Sequence, residues 1–271
     1  MNNLKDKLIK HIKREGIELR TDTKARGNLG FYRENRIDIH KKLPDDKFIE
    51  VLLHEYAHVI HKRIEPDMAK TGGTLKTIFG NDCTEVIQEE LKQVTYLVDE
   101  NALSEKLDAM KYAYKIKIKA YENLIKKEYP EFLKSKPFKQ FEKYIRHSDA
   151  RFLLKYDKVR ILTPFLKREK YYSIGTIEKD FPRMPISFVY YIKIVSLTRK
   201  SKNIQKRKNK LKKYYERPSE LFARFIQAFY KFENDIKELA PTTYTIFQKK
   251  LCEEDFKGLS KIIAILHENS L

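Results

Sequence analysis

One pentapeptide, His54-Glu55-Tyr56-Ala57-His58, constrains this chain more than any other stretch. It reads H-E-x-x-H inside an apolar run from Phe48 to Ile60. On a helix, residues four apart lie one above the other on the same face. His54 and His58 can therefore aim both imidazoles at one ion, with Glu55 beside them but off the ligand row. Metal-dependent peptidases use this arrangement, with two His ligands, a glutamate as general base and an open coordination position. Val51, Leu52 and Ala57 to Ile60 supply apolar positions on the remaining faces, which predicts a buried helix. Leu43-Pro44-Asp45-Asp46 predicts its start, with a proline at an early position and two acids in the first turn. The alternative is a core helix with two satisfied histidines. Burying two His and a Glu together is costly unless something uses them.

Two histidines do not complete a site, because a catalytic zinc takes a third protein ligand plus water. Glu220 is the first candidate. It opens the segment Pro218-Ser219-Glu220-Leu221-Phe222-Ala223-Arg224, where small Ala223 permits close approach to the metal helix. It can also be read as a solvated first-turn acid favoured by the helix dipole. Glu85, Glu89 and Glu90 are rivals on the next predicted helix, as ligands or as carboxylates orienting a ligand imidazole. His61 falls on the same face as His54, but the axial rise between them is about 10.5 Å, too far for one ion. Followed by Lys62-Arg63, it reads as near-surface.

Charge supplies the second constraint. The chain carries a formal net charge of +19, and 35% of its residues are charged. Such an excess fits a polyanionic partner such as nucleic acid, although lysine-rich composition can also be background. The densest cluster is Arg199 to Lys213, with Tyr214 and Tyr215 adjacent. Lys206, Arg207, Lys208 and Lys210 are its candidate nucleic-acid contacts, and a solvated or mobile linker is the plainer reading. Cys83 and Cys252 form no C-x-x-C pair and no disulfide framework. With no signal-peptide core and no membrane-length apolar run, the expectation is a cytoplasmic protein with no membrane partner.

Along the chain, Asn3 to Arg14 predicts an amphipathic helix and Ile17 to Arg20 a short strand, with a loop over Asp22 to Gly30. Phe31 to His40 predicts a hairpin, whose residues 36–40 are expected at a sheet edge beside the cleft, pairing with substrate. Asp67 to Gly80 reads as a loop and Thr84 to Leu103 as a helix. Leu107 to Lys127, Phe138 to Ile145, Ala150 to Leu162 and Phe188 to Leu197 are helical candidates, the last with strand-like composition. Thr163 to Pro185 reads as irregular. The shift in composition divides the chain into 1–103, a basic, mostly helical insertion over 104–213, and 214–271.

Gly30 through His58 resembles the minimal core of the ImmA/IrrE-like zincin metallopeptidases, in which a short strand leads into the H-E-x-x-H helix. The stretch from Glu220 to Phe229 resembles their E-x-x-A helix. It is more similar still to zincin domains of phage and conjugative elements, the polyvalent-protein-associated kind, where a P-S-E-L-F-A-R stretch precedes an A-P segment, here Ala240-Pro241. The resemblance covers roughly residues 28–100 and 214–250 and leaves the basic middle uncovered. The departure is the long gap between His58 and Glu220. The resemblance implies an α+β, predominantly α-helical fold: a short sheet, the H-E-x-x-H helix and a glutamate helix, interrupted by the insertion. It implies a gluzincin-like peptidase of a mobile element, hydrolysing peptide bonds. One Zn2+ per chain would be held by His54, His58 and Glu220, with Glu55 as base. Apart from the resemblance, Tyr56 faces away from the ligand row, so Tyr214, Tyr215 or a residue of the insertion is the candidate oxyanion partner. The rival expectation is a nucleic-acid-binding protein with a structural or relict metal site.

Overall fold

Arg36-Ile37-Asp38-Ile39 alternates polar and apolar side chains, the two-residue period of a strand, and Ile37, Asp38 and Ile39 are all buried. In the computed structural model it forms the middle of a three-stranded sheet. The structure describes residues 2–21, 29–81, 84–98, 102–132, 139–163 and 168–268. Most of the loop expected over Asp22 to Gly30, and Cys83, lie outside them. The chain divides into two units, Met1–Asn101 with Leu211–Leu271, and Ala102–Lys210.

The first unit opens with α1 (Asn2–Arg14), which buries Leu8 and Ile12. Strands β1 (Glu18–Arg20), β2 (Gly30–Arg33) and β3 (Arg36–Ile39) follow in the spatial order β1-β3-β2. β3 pairs parallel with β1, Leu19 opposite Ile37, and antiparallel with β2, Tyr32 opposite Ile37. Glu34 takes φ 57° in the tight turn between β2 and β3. Residues 36–40 are therefore not the edge expected from their pattern. β3 is flanked on both sides, and β2 is the strand at the edge beside the next helix.

That helix is α2 (Asp45–Ile64), with Pro44 as N-cap and Asp45 and Asp46 in its first turn. It is buried along most of its length, through Phe48, Leu52, Leu53, Tyr56 and Ile60 among others. Two short helices, α3 (Met68–Thr71) and α4 (Leu75–Phe79), occupy a stretch that reads as loop because each is about one turn long. α5 (Thr84–Val98) follows.

The second unit contains α6 (Ala102–Glu128), α7 (Lys139–Arg146), a hairpin of β4 (Lys158–Thr163) and β5 (Arg168–Ser173), the short α8 (Ile177–Asp180), and α9 (Ile186–Tyr215) as far as Lys210. Its own core gathers Ile125, Phe141, Ile145, Leu153, Phe188 and Ile192. Ser187 bonds Glu128, Tyr190 stacks on Tyr121, the Lys111 ammonium donates to Gln205 at 2.6 Å, and Lys208 pairs with Asp108. These contacts set α6 and α9 antiparallel. Three expectations fail here. Ala150 to Leu162 is not one helix but a 3-10 turn, Asp149–Leu154, leading into β4. Thr163 to Pro185 holds β5 and α8. The basic run after Arg199 is not a linker but the second half of a thirty-residue helix.

The chain returns to the first unit through α10 (Pro218–Lys231), α11 (Glu233–Leu239), α12 (Pro241–Lys250) and α13 (Lys257–His267). α10 lays Leu221, Phe222, Ala223, Phe225 and Phe229 into the core, packed along α2. The fold is α+β and predominantly helical. No helix among the described residues is long and apolar enough to cross a membrane.

Candidate metal centre

His54 and His58 stand one turn apart on α2, as their spacing requires, with ring centroids 5.0 Å apart. Facing them is Glu220, in the first turn of α10. Ala223, fully buried one turn further on, leaves room for the two helices to approach. The Ser219 N–H, next to the glutamate, donates to the Gly72 carbonyl at 3.1 Å, which ties the start of α10 to the turn after α3. Gly73 continues that turn at φ +79°, and a Cβ there would lie 2.2 Å from His61 Cε1. Only glycine meets both demands. His61 is thus not near-surface but fully buried, and its ring serves as the floor on which the turn rests.

The three side chains converge without satisfying one another. His54 Nε2 lies 3.6 Å from Glu220 Oε2, and His58 Nε2 lies 3.5 Å from Glu220 Oε1. Donor and acceptor would sit closer than this in a good hydrogen bond. Glu220 Oε2 and His54 Nδ1 are buried with no hydrogen-bond partner. One ligand atom from each residue lies within 4.8 Å of the others. Tetrahedral ligands at the usual zinc–nitrogen and zinc–oxygen distances stand about 3.3 Å apart, so the donor set and its spacing fit an ion. His54, His58 and Glu220 could hold a metal ion.

Electrostatics favour a cation at the same point. Burial resists charge on Glu220, but His54, His58 and the Tyr214 hydroxyl outweigh it and hold its pKa down to about 2. His58 is pushed down to about 4, first by burial and then by His54, so its imidazole is neutral and its lone pair free. Burial also opposes charge on His54, yet Glu220 and Glu55 raise its pKa. Glu55 is buried and pushed up to about 7 by desolvation, relieved by His54, raised by Glu220 and lowered by a backbone contact from Tyr32. A cation held by the triad would draw it down again.

β2 brings a backbone edge against this carboxylate. A Cβ on Gly30 would lie 2.4 Å from Val51 Cγ1 and 2.8 Å from Glu55 Oε1, so glycine is what admits the strand to the helix. The Tyr214 residue is 41% exposed, but desolvation of its hydroxyl, followed by Glu220, raises its pKa above the ordinary range for tyrosine.

The rival carboxylates are elsewhere. Glu85 is exposed. Glu89 is exposed and pairs with Lys92 at 3.2 Å. Glu90 is buried, and accepts from the Thr243 N–H at 2.7 Å, the Thr243 hydroxyl at 2.6 Å and the Thr242 N–H at 3.2 Å. It caps α12. Of the basic candidates, Lys206, Arg207 and Lys210 are exposed on α9, whereas Lys208 is committed to Asp108. The positioning roles of Gly30, Gly73 and Ser219 are not read from the sequence. Only the Gly72-Gly73 pair leaves a visible signal, and it reads as an ordinary loop. No protein-family model, curated protein or solved structure matches the chain.

Proposed function

We propose that this chain is a zinc-dependent metallopeptidase of the zincin kind. The observation that carries the reading is the convergence of His54, His58 and Glu220 from two helices, with Glu55 buried beside them. Two imidazoles and one carboxylate form a donor set suited to zinc and leave a coordination position open. Zinc, when bound there, supplies Lewis-acid polarisation of a carbonyl and acidifies water.

The remaining steps belong to the chain's own residues. The Glu55 carboxylate takes the proton from the attacking water and delivers it to the leaving amine. The Tyr214 hydroxyl, protonated and beside Glu220, donates a hydrogen bond to the oxygen on which negative charge develops. β2 has no strand on its other side among the described residues, so an extended substrate adds there as a further strand beside Glu55. Resemblance to the mobile-element zincins supports the same assignment and suggests a protein substrate.

The test uses zinc-loaded protein and a degenerate peptide library read by mass spectrometry. Wild type is expected to cleave, a chelator to stop it, and Glu55→Gln to keep its zinc while losing about a hundredfold or more in rate. Undiminished cleavage by that variant would remove Glu55 from the mechanism. No cleavage by zinc-loaded wild type would remove the peptidase.

A further inference from the structure

The second unit presents a cationic surface that the metal centre does not use. Ile204 is buried, and Gln205 and Lys208 face α6 through Lys111 and Asp108. At 3.6 residues per turn, Lys202 and Lys206 project from the opposite side of α9, with Lys210 continuing their row and Arg207 on one flank. All four are exposed, and none makes an ion pair with a described residue. Their neighbours on the outward side are Asn203 and Asn209, both exposed. No acid occurs from Arg199 to Lys213.

Holding several cations together without counter-charges costs stability through repulsion, and the helix offers no internal relief. The pattern also discriminates among polyanions. A helix that lies in a membrane interface needs an apolar face beside its cations, and the one apolar side chain within 202–210, Ile204, points inward. A protein interface rests on buried aromatic or apolar anchors, and this face has none. A duplex needs neither. The span from Lys202 to Lys210 is about 12 Å at 1.5 Å per residue, along which a DNA duplex carries about seven phosphates. The major groove, about 12 Å wide, admits one helix, and amide side chains such as Asn203 and Asn209 suit base edges there.

We propose that the outward face of α9, through Lys202, Lys206, Arg207 and Lys210, binds the phosphate backbone of duplex DNA. The inference does not rest on the metal centre. It is tested on the full chain by fluorescence anisotropy with a labelled duplex of mixed sequence, over a range of salt. Four phosphate contacts give a log–log salt slope of about −3.6, so a fourfold rise in salt costs about a hundredfold in affinity.

Replacing all four cations with glutamine should weaken binding about tenfold or more and flatten the slope. Glutamine matches Lys and Arg in helix propensity, and circular dichroism checks that α9 survives. The pair Lys206→Gln and Lys210→Gln should take about two from the slope if the quadruple variant fails to fold. A control removes the same charge from exposed sites on α6: Lys115→Gln, Lys117→Gln, Lys119→Gln and Lys126→Gln. Equal loss in the control would show that net charge, not this face, binds DNA, and would overturn the proposal. So would wild-type binding that none of the variants disturbs, no duplex binding at physiological salt, or equal affinity for polyglutamate or anionic vesicles.

Discussion

Glu220 and Glu90 are both buried carboxylates, and they resolve burial in opposite ways. Glu90 spends its oxygens on the first turn of α12, accepting from Thr242 and Thr243. Glu220 leaves Oε2 without a hydrogen bond and faces two imidazoles, Oε2 toward His54 and Oε1 toward His58. Metal analysis of purified variants should separate them. Glu220→Ala is expected to lose its zinc, whereas Glu90→Ala keeps it and loses about 2 kcal/mol of stability with its hydrogen bonds. Zinc lost only from the second variant would move the ligand to α5. The candidate residues on α2 are legible because a helix fixes the geometry of positions four apart. Sequence ranks Glu220 ahead of Glu85, Glu89 and Glu90 without settling between them, since only tertiary packing decides which distant acid meets that face. Gly30 is less legible still, because its importance is a distance to Val51 and Glu55. Gly30→Ala is expected to cost about 1–3 kcal/mol by overpacking. Its turnover should fall because the strand is forced off Glu55, while zinc content stays at the wild-type level. Unaltered turnover would show that β2 does not need its close seat.

At the level of elements, the turn between α2 and α4 is held by one carboxylate. Glu65 accepts from the Thr74 N–H at 2.9 Å, the Thr77 hydroxyl at 2.8 Å and the Thr71 hydroxyl at 3.2 Å, and lies 3.4 Å from His61 Nε2. Burial pushes its pKa up, but these donors outweigh burial and depress it. A carboxyl depressed in the folded state adds stability above its unfolded pKa, near 4.5, and loses it as pH falls through the folded value. Wild-type unfolding free energy should therefore decline below about pH 4.5. Glu65→Gln should decline less there and be less stable by about 2 kcal/mol at neutral pH. Parallel pH profiles in urea titrations would refute the latch. Sequence patterns gave the hairpin and α2 but not the sheet order, because Ile37 and Ile39 show only that one face is buried, not which edge is free. They also misread β4, where Val159 and Ile161 alternate with Lys158 and Arg160 as in a strand, but over too few residues to stand out from the apolar run around them. The basic run reads as a linker because Lys and Arg carry no apolar period, yet they are good helix formers once Ile204 anchors the turn.

At the scale of the molecule, each unit has its own buried core, one built around α2 and α10 and the other around Phe141, Phe188 and Ile192. All three proposed zinc ligands belong to the first. An ion that binds only the folded state stabilises it by mass action, about 2.7 kcal/mol when free zinc is a hundred times its Kd. That energy reaches only the structure whose unfolding breaks the site. Hydrogen exchange should therefore slow on zinc addition along α2 and α10, by up to about a hundredfold for amides that exchange through unfolding of this unit. Amides of α7, β4 and β5 should exchange at the same rate with and without the metal. Duplex DNA, if it binds α9 as proposed, should give the complementary pattern, with protection in the second unit and none in α2. Protection spreading equally through both units on zinc addition alone would mean that they unfold together. The proposed peptidase, with an ion stabilising one unit and cations for DNA on the other, would then have to be redrawn as a single cooperative body.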